Sequence, residues 1–194
     1  MLPARNHQTK QSRGRCMAEQ QGFVLWMTGL SGAGKTTIAK LLEQELKDRH
    51  LRIERLDGDV VRESLTRDLG FTKEDRDKNI ERVTFVAKLL SRNQVGTICS
   101  FISPYQATRD MVREQTTTII EVIVNAPLEV CIERDVKGLY KNALAGEIEN
   151  FTGVSDPYEA PTNADIVINT HEEEPEDSVR RLVTYLEENG YIPA

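Results

Sequence analysis

Residues Gly29–Thr37 read GLSGAGKTT, one residue after the apolar run FVLWM (Phe23–Met27) and directly before IAKLLEQELKDRH (Ile38–His50). Gly29, Gly34, Lys35 and Thr36 meet the pattern G-x-x-x-x-G-K-[ST], and the apolar run before it and the helical run after it supply the strand and helix that such a loop requires. Glycines let the backbone wrap so that successive N–H groups face phosphate oxygens, and the helix N-terminus adds its positive end. A nucleoside triphosphate is therefore expected against Gly29, Leu30, Ser31, Gly32, Ala33, Gly34, Lys35, Thr36 and Thr37. Lys35 is expected to bridge the β- and γ-phosphates, and the Thr36 hydroxyl to hold Mg2+.

Outward from this loop, short apolar runs alternate with longer stretches at helical spacing. The strand candidates are FVLWMTG, LRIERLD, GTICSFI, TIIEVIVN and ADIVIN, whose continuous Val/Ile/Leu/Phe character suits strands covered on both faces. Between them lie IAKLLEQELKDRH, NIERVTFVAKLLSRN, ATRDMVREQ and LEVCIERDV, and PEDSVRRLVTYLEENGY follows the last strand. In the second of these, Ile80, Val83, Val86, Ala87 and Leu90 recur at three- and four-residue steps, which gives one buried helical face. The alternation predicts an α/β, three-layer fold with a central parallel sheet and right-handed crossovers. Ligands of such folds sit at the carboxyl ends of the strands.

The chain has 194 residues, 39% hydrophobic and 29% charged, which suits one domain with a sizeable core. No apolar run approaches the ~18–20 residues of a membrane span, so no membrane partner is expected. A net charge of −6 argues against broad attraction to nucleic acid. Residues 1–20 carry Arg5, Lys10, Arg13 and Arg15 with no acid before Glu19 and little to bury, so they read as a flexible tail ahead of a domain over 21–194, with Met17 as an alternative start. Cys16, Cys99 and Cys131 form no metal or disulfide framework; Cys99 and Cys131 lie in apolar runs as core residues, and the usage fits a cytoplasmic protein.

Several triphosphate-using chemistries share such a loop. No Asn-Lys-x-Asp follows TIIEVIVN, which disfavours guanine reading, and the central strand GTICSFI runs on to Ser103 rather than to an acid. Acids occur instead after the second strand, in LDGDVVR, where Asp57 and Asp59 flank Gly58. An acid there can orient an acceptor hydroxyl and help hold metal-bound water, so the pattern points to phosphoryl transfer to a small acceptor. A plain acidic turn is the alternative for those residues.

Further motifs follow in order: LGFTKEDRDKNIERV, SFISPY, NAPLEVCIERDVKGLYKNALAGEIENFTG and DPYEAP. With GLSGAGKTT and LDGDVVR they resemble the adenylyl-sulfate kinase (APS kinase) family of P-loop kinases from about Phe23 onward. The resemblance implies a P-loop NTPase-type fold with a mobile lid over about 134–155. It also implies MgATP-dependent phosphorylation of the 3′-hydroxyl of adenylyl sulfate during sulfate assimilation, with a homodimer as the assembly. On that reading Arg62, Arg76 and Asn79 hold the phosphosulfate and ribose side of the acceptor, Phe71 and Phe151 sandwich its adenine, and Ile102 lines the same pocket. Asp59 faces the acceptor hydroxyl and, through water, the metal, alongside Thr36. Lys35 and Lys137 stabilise the transferring phosphate. Ser103 is the family's phosphoserine position; a phosphate loop beside an acceptor pocket already permits one direct transfer, so a role in hydrogen-bonding the acceptor is preferred. Leu144 stands where many relatives carry Arg, which would leave more of the lid's contact with ATP to Arg134 or Lys141.

Overall fold

The computed structural model describes residues 20–194. Nearly all of the expected tail, with Cys16 and Met17, lies outside the described residues. Five strands, β1 (Phe23–Thr28), β2 (Ile53–Asp57), β3 (Gly96–Ser100), β4 (Ile119–Asn125) and β5 (Ile166–Asn169), form one sheet in the order β2-β3-β1-β4-β5. Every pairing in it is parallel. The helices are α1 (Lys35–Asp48), α2 (Gly58–Glu63), α3 (Lys73–Arg92), α4 (Gln106–Gln115), α5 (Leu128–Arg134), α6 (Leu139–Leu144) and α7 (Pro175–Glu188).

The alternation of β1 builds the two outer layers. Phe23, Leu25 and Met27 join one core with Ile38, Leu42 and Leu46 of α1 and Leu182 and Leu186 of α7. Val24 and Trp26 face a second core with Ile80, Val83 and Ala87 of α3 and Val112 of α4. Each of the five residues Phe23–Met27 is at most 1% exposed. Full burial of such side chains stabilises by about 1.5–3 kcal/mol each before chain entropy is counted. Burial on both faces holds for the central strands, whereas the edge strands open to solvent at Glu54 and Val167. Cys99 and Cys131 are buried free thiols, as expected.

Two segments are more helical than apolar spacing suggests. Helix α3 starts at Lys73, six residues ahead of the expected Asn79, because Thr72 accepts the Asp75 N–H at 3.2 Å and Glu74 and Asp75 occupy the first turn, where the helix dipole favours them. The acidic turn at Asp57-Gly58-Asp59 opens α2: Asp57 ends β2 and accepts the Asp59 N–H at 3.1 Å as its cap. Because β1 lies between β3 and β4, its carboxyl end opens onto the crevice where strand order switches, and the phosphate loop leaves from that end.

Candidate active site

The loop from Gly29 to Gly34 has positive φ at Gly29, Gly32 and Gly34, of 152°, 73° and 101°. A Cβ at Gly29 would lie 2.2 Å from the Val124 carbonyl oxygen, so only glycine allows β1 and β4 to run side by side into the loop. Gly34 in its left-handed conformation starts α1, and Lys35 and Thr36 follow in its first turn. Lys35 Nζ donates to the carbonyls of Gly29 and Leu30, both at 2.8 Å. Burial pushes its pKa down to about 8, against the raising effects of Cys131, Asp57 and Asp59.

Of the two acids flanking Gly58, Asp57 is the one that touches the loop. Its Oδ2 accepts from Thr36 Oγ1 at 2.9 Å and from Ser100 Oγ at 2.8 Å. Burial pushes this carboxyl up, but the hydrogen bonds from Ser100, Thr36 and the Asp59 N–H outweigh it and hold the pKa below the ordinary value. A hydroxyl backed by an ionised carboxylate is a hard-oxygen donor set that fits Mg2+, which takes one or two protein ligands and completes its shell with water and phosphate oxygens. Among the described residues no group of three or more His, Cys, Asp and Glu could hold a metal ion by itself. Asp59, expected on the metal side, is exposed in α2 and accepts instead from Lys137 Nζ. The acid in contact with Thr36 is thus Asp57, which the sequence reading left out of the site.

Two cavities meet here. One, of 590 Å³, runs from Gly32, Gly34 and Thr37 past Arg134 to Thr170 and Glu173. The other, of 390 Å³, is walled by Arg62, Phe71, Arg76, Asn79, Ile102, Ser103 and Phe151. Lys35, Thr36, Asp59 and Lys137 line both. Every residue expected at the acceptor is therefore brought to one cavity, across these four from the phosphate loop.

Within the second cavity Arg62 lies over the Phe71 ring, 4.3 Å from its centroid, and donates to the Leu69 and Gly70 carbonyls. Burial, and then the Arg76 charge, lowers the Arg62 pKa; two guanidiniums near enough to repel attract an anion between them. Arg76 donates to the Phe71 carbonyl at 2.9 Å, to Thr152 Oγ1 at 2.7 Å and to the Asn150 carbonyl. Asn79 is buried and accepts from Thr66 Oγ1 at 2.8 Å. Phe71 is 58% exposed and Phe151 9%, so one aromatic wall is open and the other fixed.

Part of the expected lid is seated in the protein body. Tyr140 is 1% exposed, donates its hydroxyl to the Ser31 carbonyl at 3.0 Å and packs edge-on against Phe151, with ring centroids 5.0 Å apart. One side chain thereby ties the phosphate loop to the wall of the second cavity. Val136 and Leu144 stand out in solvent. With Leu144 turned outward, it is Arg134 that reaches the first cavity, donating to Thr170 Oγ1 at 3.0 Å and to its carbonyl at 2.7 Å. Lys141 is not among that cavity's walls. Ser103 is 2% exposed, and its Oγ accepts from Trp26 Nε1 at 3.1 Å, a partner that cannot act as a base. Ile102 is fixed by its carbonyl, which accepts from Thr28 Oγ1 at 2.6 Å.

A glycine-rich phosphate loop at a strand-order switch, with an acid at the end of β2 and a facing acceptor cavity, defines a P-loop small-molecule kinase. The adenylylsulphate kinase family model matches residues 21–169, and the chain belongs to that family. A probable adenylyl-sulfate kinase of Pseudomonas aeruginosa is 71% identical over 167 residues, covering 86% of this chain and 78% of the relative. The adenylyl-sulfate kinase of Halothermothrix orenii is 60% identical, covering 91% and 95%. The solved structure of the Mycobacterium tuberculosis APS kinase CysC in complex with AMPPNP and APS aligns with a TM-score of 0.84 at 36% identity, covering 87% of this chain and 99% of that one.

Proposed function

We propose that this protein transfers the γ-phosphate of ATP directly to the 3′-hydroxyl of adenylyl sulfate, giving 3′-phosphoadenylyl sulfate. The observation that carries the reading is the junction of the two cavities at Lys35, Thr36, Asp59 and Lys137. Phosphoryl transfer through a loose transition state asks mainly for alignment and charge stabilisation, and a shared wall of two lysines, a hydroxyl and a carboxylate supplies both.

Each side chain then has a task. Lys35, now on the Gly29 and Leu30 carbonyls, reaches the β- and γ-phosphate oxygens from the same place. Thr36, oriented by Asp57, holds Mg2+, which neutralises phosphate charge when bound. Asp59 orients the acceptor hydroxyl and accepts its proton late in the transfer. Lys137 exchanges Asp59 for the transferring phosphate as the lid segment closes. Arg62 and Arg76 meet the phosphosulfate, Asn79 the ribose side, and Phe71 and Phe151 the adenine. Arg134 and Thr170 form the wall beside the nucleotide of ATP. The moving parts of the segment 134–155 are those around Gly138 and Gly146, both at positive φ and in open space, on either side of the seated Tyr140. A homodimer and a cytoplasmic location complete the reading; no helix among the described residues is long and apolar enough to cross a membrane.

The test is label transfer from γ-labelled ATP with adenylyl sulfate, a nucleoside, shikimate and gluconate offered separately. Label on adenylyl sulfate alone supports the reading, and label on another acceptor in preference to it contradicts it.

A further inference from the structure

The acceptor cavity rests on residues 101–105, between β3 and α4, and the backbone there is strained. Ser103 has φ of 38°, a conformation non-glycine residues rarely adopt and one that persists only where the surroundings enforce it. Among those surroundings is a charge pair outside the cavity. Arg109, from the second turn of α4, has a side chain only 1% exposed; its Nε lies 3.1 Å from Glu121 Oε1 of β4, itself 7% exposed. The other two nitrogens of the guanidinium are spent on the floor: Nη1 donates to the Ser103 carbonyl at 2.7 Å, and Nη2 donates to Gln106 Oε1 at 2.7 Å and to the Glu159 carbonyl. Glu159 in turn donates its N–H to the Pro104 carbonyl at 2.9 Å, and its carboxylate accepts the Gln106 N–H at 2.6 Å.

We propose that Arg109 is a positioning residue for the acceptor, its guanidinium, anchored by Glu121 of the central sheet, holding Ser103 in the left-handed conformation that shapes the cavity floor. This rests on the proposed acceptor reading. The planar fork is what the task needs. One group faces a carboxylate with its inner nitrogen, as an ion pair that makes no hydrogen bond, and bonds two carbonyls from separate segments with its outer pair, which the single ammonium of Lys cannot reproduce. The pair also has no route to the triphosphate: none of its contacts involves the phosphate loop, and neither residue lines either cavity. Its loss should therefore act on one substrate.

Trp26 makes the test specific. It is the chain's single tryptophan, and its indole N–H bonds Ser103 Oγ, so its emission reports the floor. Wild-type turnover of adenylyl sulfate is measured first; its absence would defeat the acceptor reading, independently of Arg109. Given turnover, Arg109→Lys is expected to raise the acceptor KM, or lower kcat, by about tenfold, as loss of a charge-assisted hydrogen bond implies, with ATP affinity unchanged and Trp26 emission shifted. Glu121→Gln, which keeps the shape and removes the anchoring charge, is expected to move the same parameters by about threefold, and it serves if the Lys variant does not fold. A lower melting temperature with acceptor kinetics and Trp26 emission both unchanged would overturn the proposal, as would equal losses for ATP and acceptor.

Discussion

Lys137 Nζ donates to Asp59 Oδ2, joining the segment after α5 to α2 across the line where the two cavities meet. The pair joins the carboxylate proposed to orient the acceptor hydroxyl to the cation proposed to meet the transferring phosphate. Lys137→Ala is expected to lower kcat by about 10²–10³-fold, the size of effect typical for losing a preorganised charge at the transition state, with a much smaller change in ATP affinity. Steady-state kinetics with ATP varied at saturating adenylyl sulfate would separate the two.

Asp57→Asn tests the metal-side acid. The amide replaces one acceptor oxygen with a donor, opposite the Thr36 and Ser100 hydroxyls that now donate to Asp57. The Mg2+ response of turnover should weaken by about 10- to 100-fold, as for other groups that orient a metal ligand. Acid stability supplies a second readout. The folded pKa of Asp57 lies below its unfolded value, so the stability it contributes is present above about pH 4 and is lost as pH falls through the lowered value. The fall in melting temperature between about pH 5 and pH 3 should accordingly be smaller in Asp57→Asn than in the wild type.

Lys35 predicts a proton signature of ATP binding. With its pKa pushed down to about 8 by burial, the free protein is partly deprotonated at that pH, while bound phosphates restore the charge. Binding near pH 8.5, by our estimate from that value, should take up protons, and affinity should fall as pH rises through 8. Titration calorimetry in two buffers of different ionisation enthalpy measures the uptake directly; release of protons, or none, would contradict the assignment.

Phe71 is the open aromatic wall, with the Arg62 guanidinium over its ring. Losing one stacking face for a base costs about 1–3 kcal/mol, so Phe71→Ala should raise the acceptor KM by about 5- to 150-fold and leave the KM for ATP alone. Initial-rate measurements with each substrate varied in turn would check this.

The sheet and the phosphate loop were legible because FVLWM and GLSGAGKTT combine a buried strand with glycines whose backbone role is local. That Phe71, Arg76, Asn79 and Lys137 line one cavity was legible from LGFTKEDRDKNIERV and DVKGLYK only through resemblance, since Phe71 alone reads as core and Arg76 alone as a surface charge. The choice between Asp57 and Asp59 was not legible. Both flank Gly58, and only the register of β2 on β3, which sets Asp57 opposite Ser100, decides which one turns toward Thr36. Helix α2 and the start of α3 were missed because caps and first-turn charges begin them, ahead of any apolar periodicity. Tyr140 was read as part of a loose lid; its seat under the phosphate loop depends on Ser31, 109 residues earlier in the chain. The bond from Trp26 to Ser103 spans 77 residues and has no sequence signal at all.

Direct transfer at the shared wall is tested most sharply by stereochemistry. ATP made chiral at the γ-phosphorus by isotopic oxygen would be turned over with adenylyl sulfate, and the configuration of the 3′-phosphate read in the product. One in-line transfer predicts inversion. Retention would mean two transfers, with a phosphorylated side chain such as Ser103 between them, and would contradict the account.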